Sequence, residues 1–150
     1  MTYVPLNLEA AVAKTKEQRR KEILRAEAAM KTLPQISIDT EHHFAEGLTA
    51  RVAFLPKDTI VTGHIHLHDH IVVVVGDVTV ATDDGSNRYT GTHTFVGKAG
   101  NKRAVHVHED TTWVAINACT ATTPEEAEAQ NVVKTQEEYL LAQETKKCLT

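Results

Sequence analysis

The chain has 150 residues, of which 41% are hydrophobic and 24% charged, the balance of one globular domain; two-domain, disordered and fibrous architectures are set aside. A formal net charge of -4 offers no general attraction to nucleic acid or to an anionic membrane, and no apolar run approaches the ~20 residues that cross a bilayer. Two cysteines, Cys119 and Cys148, make a poor disulfide framework and are read as reduced thiols; residues 1–13 lack the order of a signal peptide, so the expected location is the cytoplasm.

In chain order, Asn7 offers an N-cap after Pro5, and residues 8–33 contain no Gly or Pro and are rich in Ala, Glu, Lys and Arg. The stretch predicts one long helix. Ile23, Ala26, Met30 and Leu33 recur at helical spacing, whereas residues 14–22 are almost wholly polar, so the N-terminal half is expected to project into solvent or meet a partner. Residues 1–33 carry seven Lys/Arg against four Asp/Glu, a balance of +3 that fits a solvated helical face.

All seven glycines fall between Gly47 and Gly100, which marks this stretch as the one with most of the tight turns. Leu48, Ala50, Val52 and Phe54 alternate with Thr49, Arg51 and Ala53, a period-2 strand that Pro56-Lys57-Asp58 ends, and a second strand begins at Thr59. Ile71 to Val75 is a continuous β-branched run, predicted as a strand buried on both faces and closed by Gly76. Val78 and Val80 face a core, and Asp83-Asp84-Gly85-Ser86 turns the chain. Arg88 to Phe95, Arg103 to His108 and Thr111 to Cys119 supply further strands, with Glu109-Asp110 read as a turn between the last two. Seven or eight short strands predict an antiparallel sandwich or small barrel. Trp113 and Cys119 are expected in its core. Thr123-Pro124-Glu125-Glu126 and Thr135-Gln136-Glu137-Glu138 each place an N-cap ahead of a capping-box glutamate, so two short helices follow. Residues 124–150 hold six Glu and three Lys, an acidic tail suited to the basic N-terminal helix of the same or a neighbouring chain, and Leu140 and Leu141 need a surface to cover.

Nine histidines are the outstanding feature, seven of them between His64 and His108. His64, His66, His68 and His70 occupy alternate positions and would share one face of an ideal strand. Four unpartnered imidazoles on a core face are costly to desolvate, which calls either for a bend that sends some to solvent or for a metal ion that takes several as ligands. His106 and His108 arrive on a later strand and supply the convergence that a site in a β barrel requires. His42 and His43 read as a surface pair; His68 and His93 are placed outside the ligand set.

The segment Gly63-His64-Ile65-His66, with His70 and Gly76, resembles the first cupin motif, an HxH pair followed by a glutamate and a glycine; His70 stands at the glutamate position. Lys98-Ala99-Gly100-Asn101-Lys102-Arg103 resembles the start of the second cupin motif, with Arg103 where a histidine is usual. Glu41 to Gly47, Gly63 to Gly76, and Lys102 to Thr111 with Trp113 are similar to small cupin-like proteins of tailed bacteriophages, over about Leu33 to Asn117. The resemblance implies a mainly β, cupin-like antiparallel jelly-roll barrel (35–120) between a long N-terminal helical extension (1–34) and a short helical tail (121–150). It also implies one divalent transition metal, Zn, Ni, Fe or Cu, on His66, His70 and His108 first, His64 next and His106 last; hard ions suit such donors poorly.

Arg103, at the expected barrel mouth, is either an anion-binding group or a salt-bridge partner. Glu41, Asp69, Glu109 and Asp110 are the available carboxylates, none with the mark of a general base, so no catalytic residue is assigned. Two roles follow: a metal-binding cupin-like protein with a small-molecule ligand, or a virion-associated assembly protein whose barrel is a scaffold and whose helices contact other phage structural proteins or a second copy. The expected location becomes the bacterial host cytoplasm or the virion, with no nucleic-acid or membrane partner. No P-loop, GxGxxG, GxSxG or CxxC occurs.

Overall fold

The computed structural model describes residues 14–149. In chain order it holds α1 (Lys16–Met30), β1 (Asp39–Ala45), β2 (Leu48–Leu55), β3 (Thr59–Thr62), β4 (Ile65–His66), β5 (His70–Thr82), β6 (Gly85–Gly97), β7 (Arg103–Ala118), α2 (Pro124–Asn131), β8 (Val132–Val133) and α3 (Gln136–Leu149). The mainly β, antiparallel expectation holds. One sheet runs in the order β1-β2-β7-β5-β6, with β3 also paired to β7, and β4 pairs β8 in a separate two-stranded ribbon.

The large sheet folds back on itself. Arg103 pairs with Thr82 at one end of β5, yet its guanidinium lies 3.3 Å from the ring of His70 at the other end. Extended, those twelve steps would separate the two ends by about 40 Å. The bend falls at Gly76, where the register between β5 and β7 shifts on either side of Asp77. Gly76 has φ +152°, and a Cβ there would fall on the Thr111 hydroxyl and 2.8 Å from the Thr111 Cα. The Thr111 Oγ1 accepts from Asp77 N at 3.1 Å and donates to Glu109 O at 2.8 Å, so it satisfies polar backbone that the bulge leaves unpaired. Glu109-Asp110 is therefore not a turn: Arg103–Ala118 is one strand of 16 residues with an irregularity in it.

The two halves of the folded sheet enclose a single core. Val72, Val74, Trp113, Ala53 and Leu55 from one layer meet Val78, Val80, Val105 and Val107 from the other. Ile71 to Val75 is not buried on both faces as the β-branched run predicts: Val72 and Val74 are fully buried, while Ile71 and Val75 face outward and are exposed. In β2 the inward set is Thr49, Ala53 and Leu55, with Arg51 at the same parity, while Leu48 and Phe54 are exposed. Outside, the first layer presents three cross-strand rows: Ala50, Ile116, Ile71 and Val96; then Val52, Val114, Val73 and Thr94; then Phe54, Thr112, Val75 and Thr92. The outer face of the second layer is polar, with Asp77 gripped by Arg88 at 2.9 Å and His108 bonded to Thr79 at 2.7 Å.

The helix over 8–33 is shorter than expected. Thr15 is extended and caps it, its Oγ1 accepting from Gln18 N, and the helix ends at Met30; residues 1–13, including Asn7, lie outside the described residues. Ile23 is the one buried residue of α1. Charge does the rest of the docking: residues 14–18, 21 and 22 are exposed, as the polar run predicts, while Arg19 and Arg20 are partly buried against the β5–β6 turn. Arg20 bonds the Asp83 carboxylate and Gly100 O, Arg19 reaches Asp83 O, and Lys16 pairs with Asp84 at 2.7 Å. The buried Lys102 ammonium donates to Glu27 at 2.7 Å and to Gly63 O at 2.8 Å. Burial raises the Glu27 pKa, but hydrogen bonds from Lys102 and Thr62 outweigh it and leave the carboxyl below its ordinary value.

Both C-terminal helices start as predicted, at Thr123 and Thr135, each hydroxyl accepting from the backbone N–H three residues on. Their glutamates reach one residue further back than in a standard capping box: Glu126 accepts from Thr122 N and Glu138 from Lys134 N. Leu140 and Leu141 remain exposed.

Gly76→Ala is expected to lower the unfolding free energy by about 3 kcal/mol, through the clash with Thr111 backbone as well as its φ. Gly91→Ala, at φ +80° with open space around it, is expected to cost about 1 kcal/mol. Urea unfolding of the two variants compares them; equal losses would remove Gly76 from its role as the bend.

Candidate ligand site in the barrel interior

The interior polar site is built from four strands. β4 ends at His66, residues 67–69 form a bend, and β5 begins at His70, so the HxHxHxH segment is no single strand. The bend brings the two rings together: His66 and His70 stack with centroids 3.7 Å apart and planes 15° from parallel. β7 contributes Asn117 at one end and Arg103 at the other. His66 Nδ1 lies 3.3 Å from Asn117 Oδ1. The Arg103 Nη2 lies 3.3 Å from His70 Nε2, and its guanidinium carbon sits 5.0 Å from the centre of the Trp113 ring.

These contacts define tautomers. A guanidinium can only donate, so His70 Nε2 accepts, which leaves the proton on Nδ1, 3.3 Å from His68 O. By the same logic His66 donates from Nδ1 to Asn117 Oδ1 and keeps a lone pair on Nε2. Both imidazoles are neutral near pH 7. Burial, then the charges of His70 and Arg103, pulls His66 down to about 3. Burial, then Arg103, pulls His70 down to about 4. The Arg103 guanidinium, 9% exposed, is lowered by burial to about 10 and stays protonated at neutral pH. Among the described residues its partners are a ring face and an imidazole, with no carboxylate in contact.

The structure does not gather the expected metal ligands. His66 and His70 meet. His64 is half-exposed and turns to Glu128, 3.7 Å from its Nδ1, in a shallow groove of about 450 Å³ between α2, β8 and α3. His106 and His108, whose rings are 4.3 Å apart, alternate with the buried Val105 and Val107 and so lie on the outer face of the second layer. Strand parity is the reason: inward Arg103 fixes 106 and 108 as outward positions. Among the described residues no group of three or more His, Cys, Asp or Glu side chains is placed to hold a metal ion. The site that the cupin resemblance implies is not matched by these donors. Beside the two rings that do meet stands a guanidinium, a cation bonded to the His70 Nε2 lone pair that a metal would need.

Asn117 and Arg51 were not expected at the site. Asn117 is buried two residues beyond Ala115 and four beyond Trp113, a polar residue at core-facing parity. Arg51 shares the inward parity of β2, and its charge contributes to lowering both His64 and His66. Of the carboxylates read from the sequence, Asp69 binds Ala99 N at 2.8 Å and Lys98 at 3.7 Å, Asp110 accepts from Lys57 N, and Glu109 and Glu41 are exposed in pairs with Lys57 and His43. His68 and His43 are exposed, His42 stacks on Phe44, and His93 bonds Thr90 O; none of them joins the site.

No protein-family model and no curated protein matches the chain. Solved structures of related shape include KdgF from a Halomonas species, with 16% identity over 55% of this chain and 80% of that one and a TM-score of 0.46. An RmlC-like cupin from Methanocaldococcus jannaschii has 11% identity over 56% of this chain and 82% of that one, at 0.47. A cupin superfamily protein from Desulfitobacterium hafniense has 9% identity over 57% and 81%, at 0.48.

Two predictions follow from this geometry. The unfolded chain takes up protons on His66 and His70 near 6.5, whereas the folded chain resists until about 3 and 4, so acid favours unfolding. Their contribution is fully present above pH 6.5 and is lost as pH falls, down to about 4 for His70 and about 3 for His66. Urea midpoints at pH 7.5 and 4.5 are expected to drop more for the native chain than for a His66→Gln, His70→Gln double variant; equal drops would show that the imidazoles are not held neutral. Elemental analysis of the purified chain is expected to find no stoichiometric transition metal, and one ion per chain lost in His70→Ala would overturn the assignment of Arg103 to that space.

Proposed function

We propose that this is a cupin-like barrel that binds a small anionic molecule, and that Arg103 is its anchor. The observation that carries the reading is a desolvated guanidinium with no carboxylate in contact among the described residues. A buried cation is costly unless paired, and it persists where a ligand supplies the missing charge. Trp113 and His70 fix the plane of the fork, so that a carboxylate or phosphate meets two parallel donors. Arg51 adds positive potential at the exposed margin. His66 Nε2 is an acceptor, suited to a hydroxyl or ammonium on the same ligand, so the favoured class is a small carboxylate that also bears a donor group, such as a hydroxy or amino acid. Imidazoles held this far below their ordinary values are weak bases, which supports binding in preference to proton transfer.

The test is thermal denaturation of the full chain with lactate, glycine, succinate or inorganic phosphate at millimolar concentrations. At least one is expected to raise Tm in a dose-dependent way, an effect absent in Arg103→Met. Arg103→Met without ligand is expected to be as stable as the native chain or up to about 2 kcal/mol more stable, because it removes an unpaired buried charge. No response to any anion, together with a marked loss of stability in Arg103→Met, would assign Arg103 to the structure alone.

A further inference from the structure

The second histidine pair of the molecule stands on the outer face of the second sheet layer. His106 is exposed and His108 half-buried, at alternate positions of β7 whose neighbours Val105 and Val107 fill the core, so the two side chains leave the sheet side by side. Their ring centres are 4.3 Å apart and their planes are tilted by 49°. An imidazole lone pair lies in the plane of its ring, so two rings can share an ion only where their planes cross. The planes of His66 and His70, stacked at 3.7 Å and 15° from parallel, cross far outside the pair. Those of the tilted pair cross close by. Two imidazoles on one ion, each with a metal–nitrogen distance of about 2.0–2.1 Å, have ring centres about 4.5 Å apart. The outer pair holds nearly that separation with no movement of the strand.

We propose that His106 and His108 form a labile chelate site for a divalent late first-row metal ion, Cu(II) ahead of Ni(II) and Zn(II). Imidazole suits these ions, affinity rises to copper along the first row, and hard ions such as Mg(II) prefer oxygen donors. Thr79 Oγ1 lies 2.7 Å from His108 Nε2. Ion binding selects the tautomer in which Nε2–H donates to Thr79 and Nδ1 carries the lone pair, so the hydroxyl orients the ring from behind. The Asp77 carboxylate on the same face is already held through both oxygens by Arg88, at 3.0 and 2.9 Å. Among the described residues no third His, Cys, Asp or Glu completes the set. The remaining coordination positions therefore belong to water, the ion exchanges freely, and a chain purified without added metal carries none. The site lies outside the barrel, shares no residue with the Arg103 pocket and stands whether or not that pocket binds an anion.

Equilibrium dialysis of the full chain against about 100 μM Cu(II), Ni(II), Zn(II) or Mg(II) is expected to load one Cu(II) per chain most tightly, Ni(II) and Zn(II) more weakly and Mg(II) not at all. His106→Gln and His108→Gln, both at outward positions, are each expected to weaken Cu(II) binding about 10-fold or more, and Thr79→Val about 10-fold. His43→Gln and the His66→Gln, His70→Gln double variant are expected to leave it unchanged. Ile60 is 53% exposed and pairs directly with His106, so Ile60→His sets a third imidazole about 5 Å from it, Cβ to Cβ, and is expected to tighten binding about 10-fold or more. Absence of Cu(II) uptake overturns the proposal, as does uptake that is indifferent to His106→Gln and His108→Gln or spread evenly over several weak sites. Uptake abolished by the His66→Gln, His70→Gln double variant also overturns it, by moving the ion into the barrel.

Discussion

The close approach of Gly76 to Thr111 is the constraint on which the rest of the molecule depends. β5 and β7 run through both layers, and a single sheet of such strands would be flat and open without a place to fold. With no side chain at 76, the Thr111 hydroxyl enters and bonds the backbone on both sides of the bulge. The fold-back brings four valines of β5, two on each side of the bend, into one core. It also carries Arg103 across to His70, a contact between opposite ends of one strand pair.

That contact sets the electrostatics of the interior. A fixed cation against the neutral rings of His70 and Trp113 makes the potential there positive. With a carboxylate in place of Arg103 the imidazoles would be drawn upward in pKa. One position therefore sets the sign of the charge in the barrel interior.

Much of this architecture is legible in the residues, and the failures have a common cause. Strand existence, the turn at Asp83-Asp84, the helix starts at Thr123 and Thr135 and the buried Trp113 were all readable from local chemistry. Facing was not. In β2 the apolar set Leu48, Ala50, Val52 and Phe54 looks like a core stripe, yet it is the outward set, and the core-facing alternation runs through Thr49, an exposed Arg51, Ala53 and Leu55. A sheet with an apolar outer face inverts the usual rule that the more hydrophobic side is inside. The same parity problem misplaced His106 and His108, since spacing fixes that they share a face but not which face. The meeting of His66 with His70 was legible as proximity; that Arg103 would complete the group depended on a bend that no local signal locates. For α1, Thr15 lies within a run free of Gly and Pro, and its capping bond with Gln18 interrupts what composition alone reads as continuous.

His66 belongs to a ribbon of two residues on each side, paired with Val132 and Val133, and the next residue, Leu67, donates to Asn131 O. Among the described residues β4 pairs with no other strand, and outside the ribbon Gly100 N donates to His66 O at 2.9 Å. One wall of the interior is thus anchored by the far end of the chain, and the C-terminal helices act as a tether for the site as much as a cover for the barrel. The tail thereby helps to hold His66 in its place beside His70, although no tail residue belongs to the stacked pair.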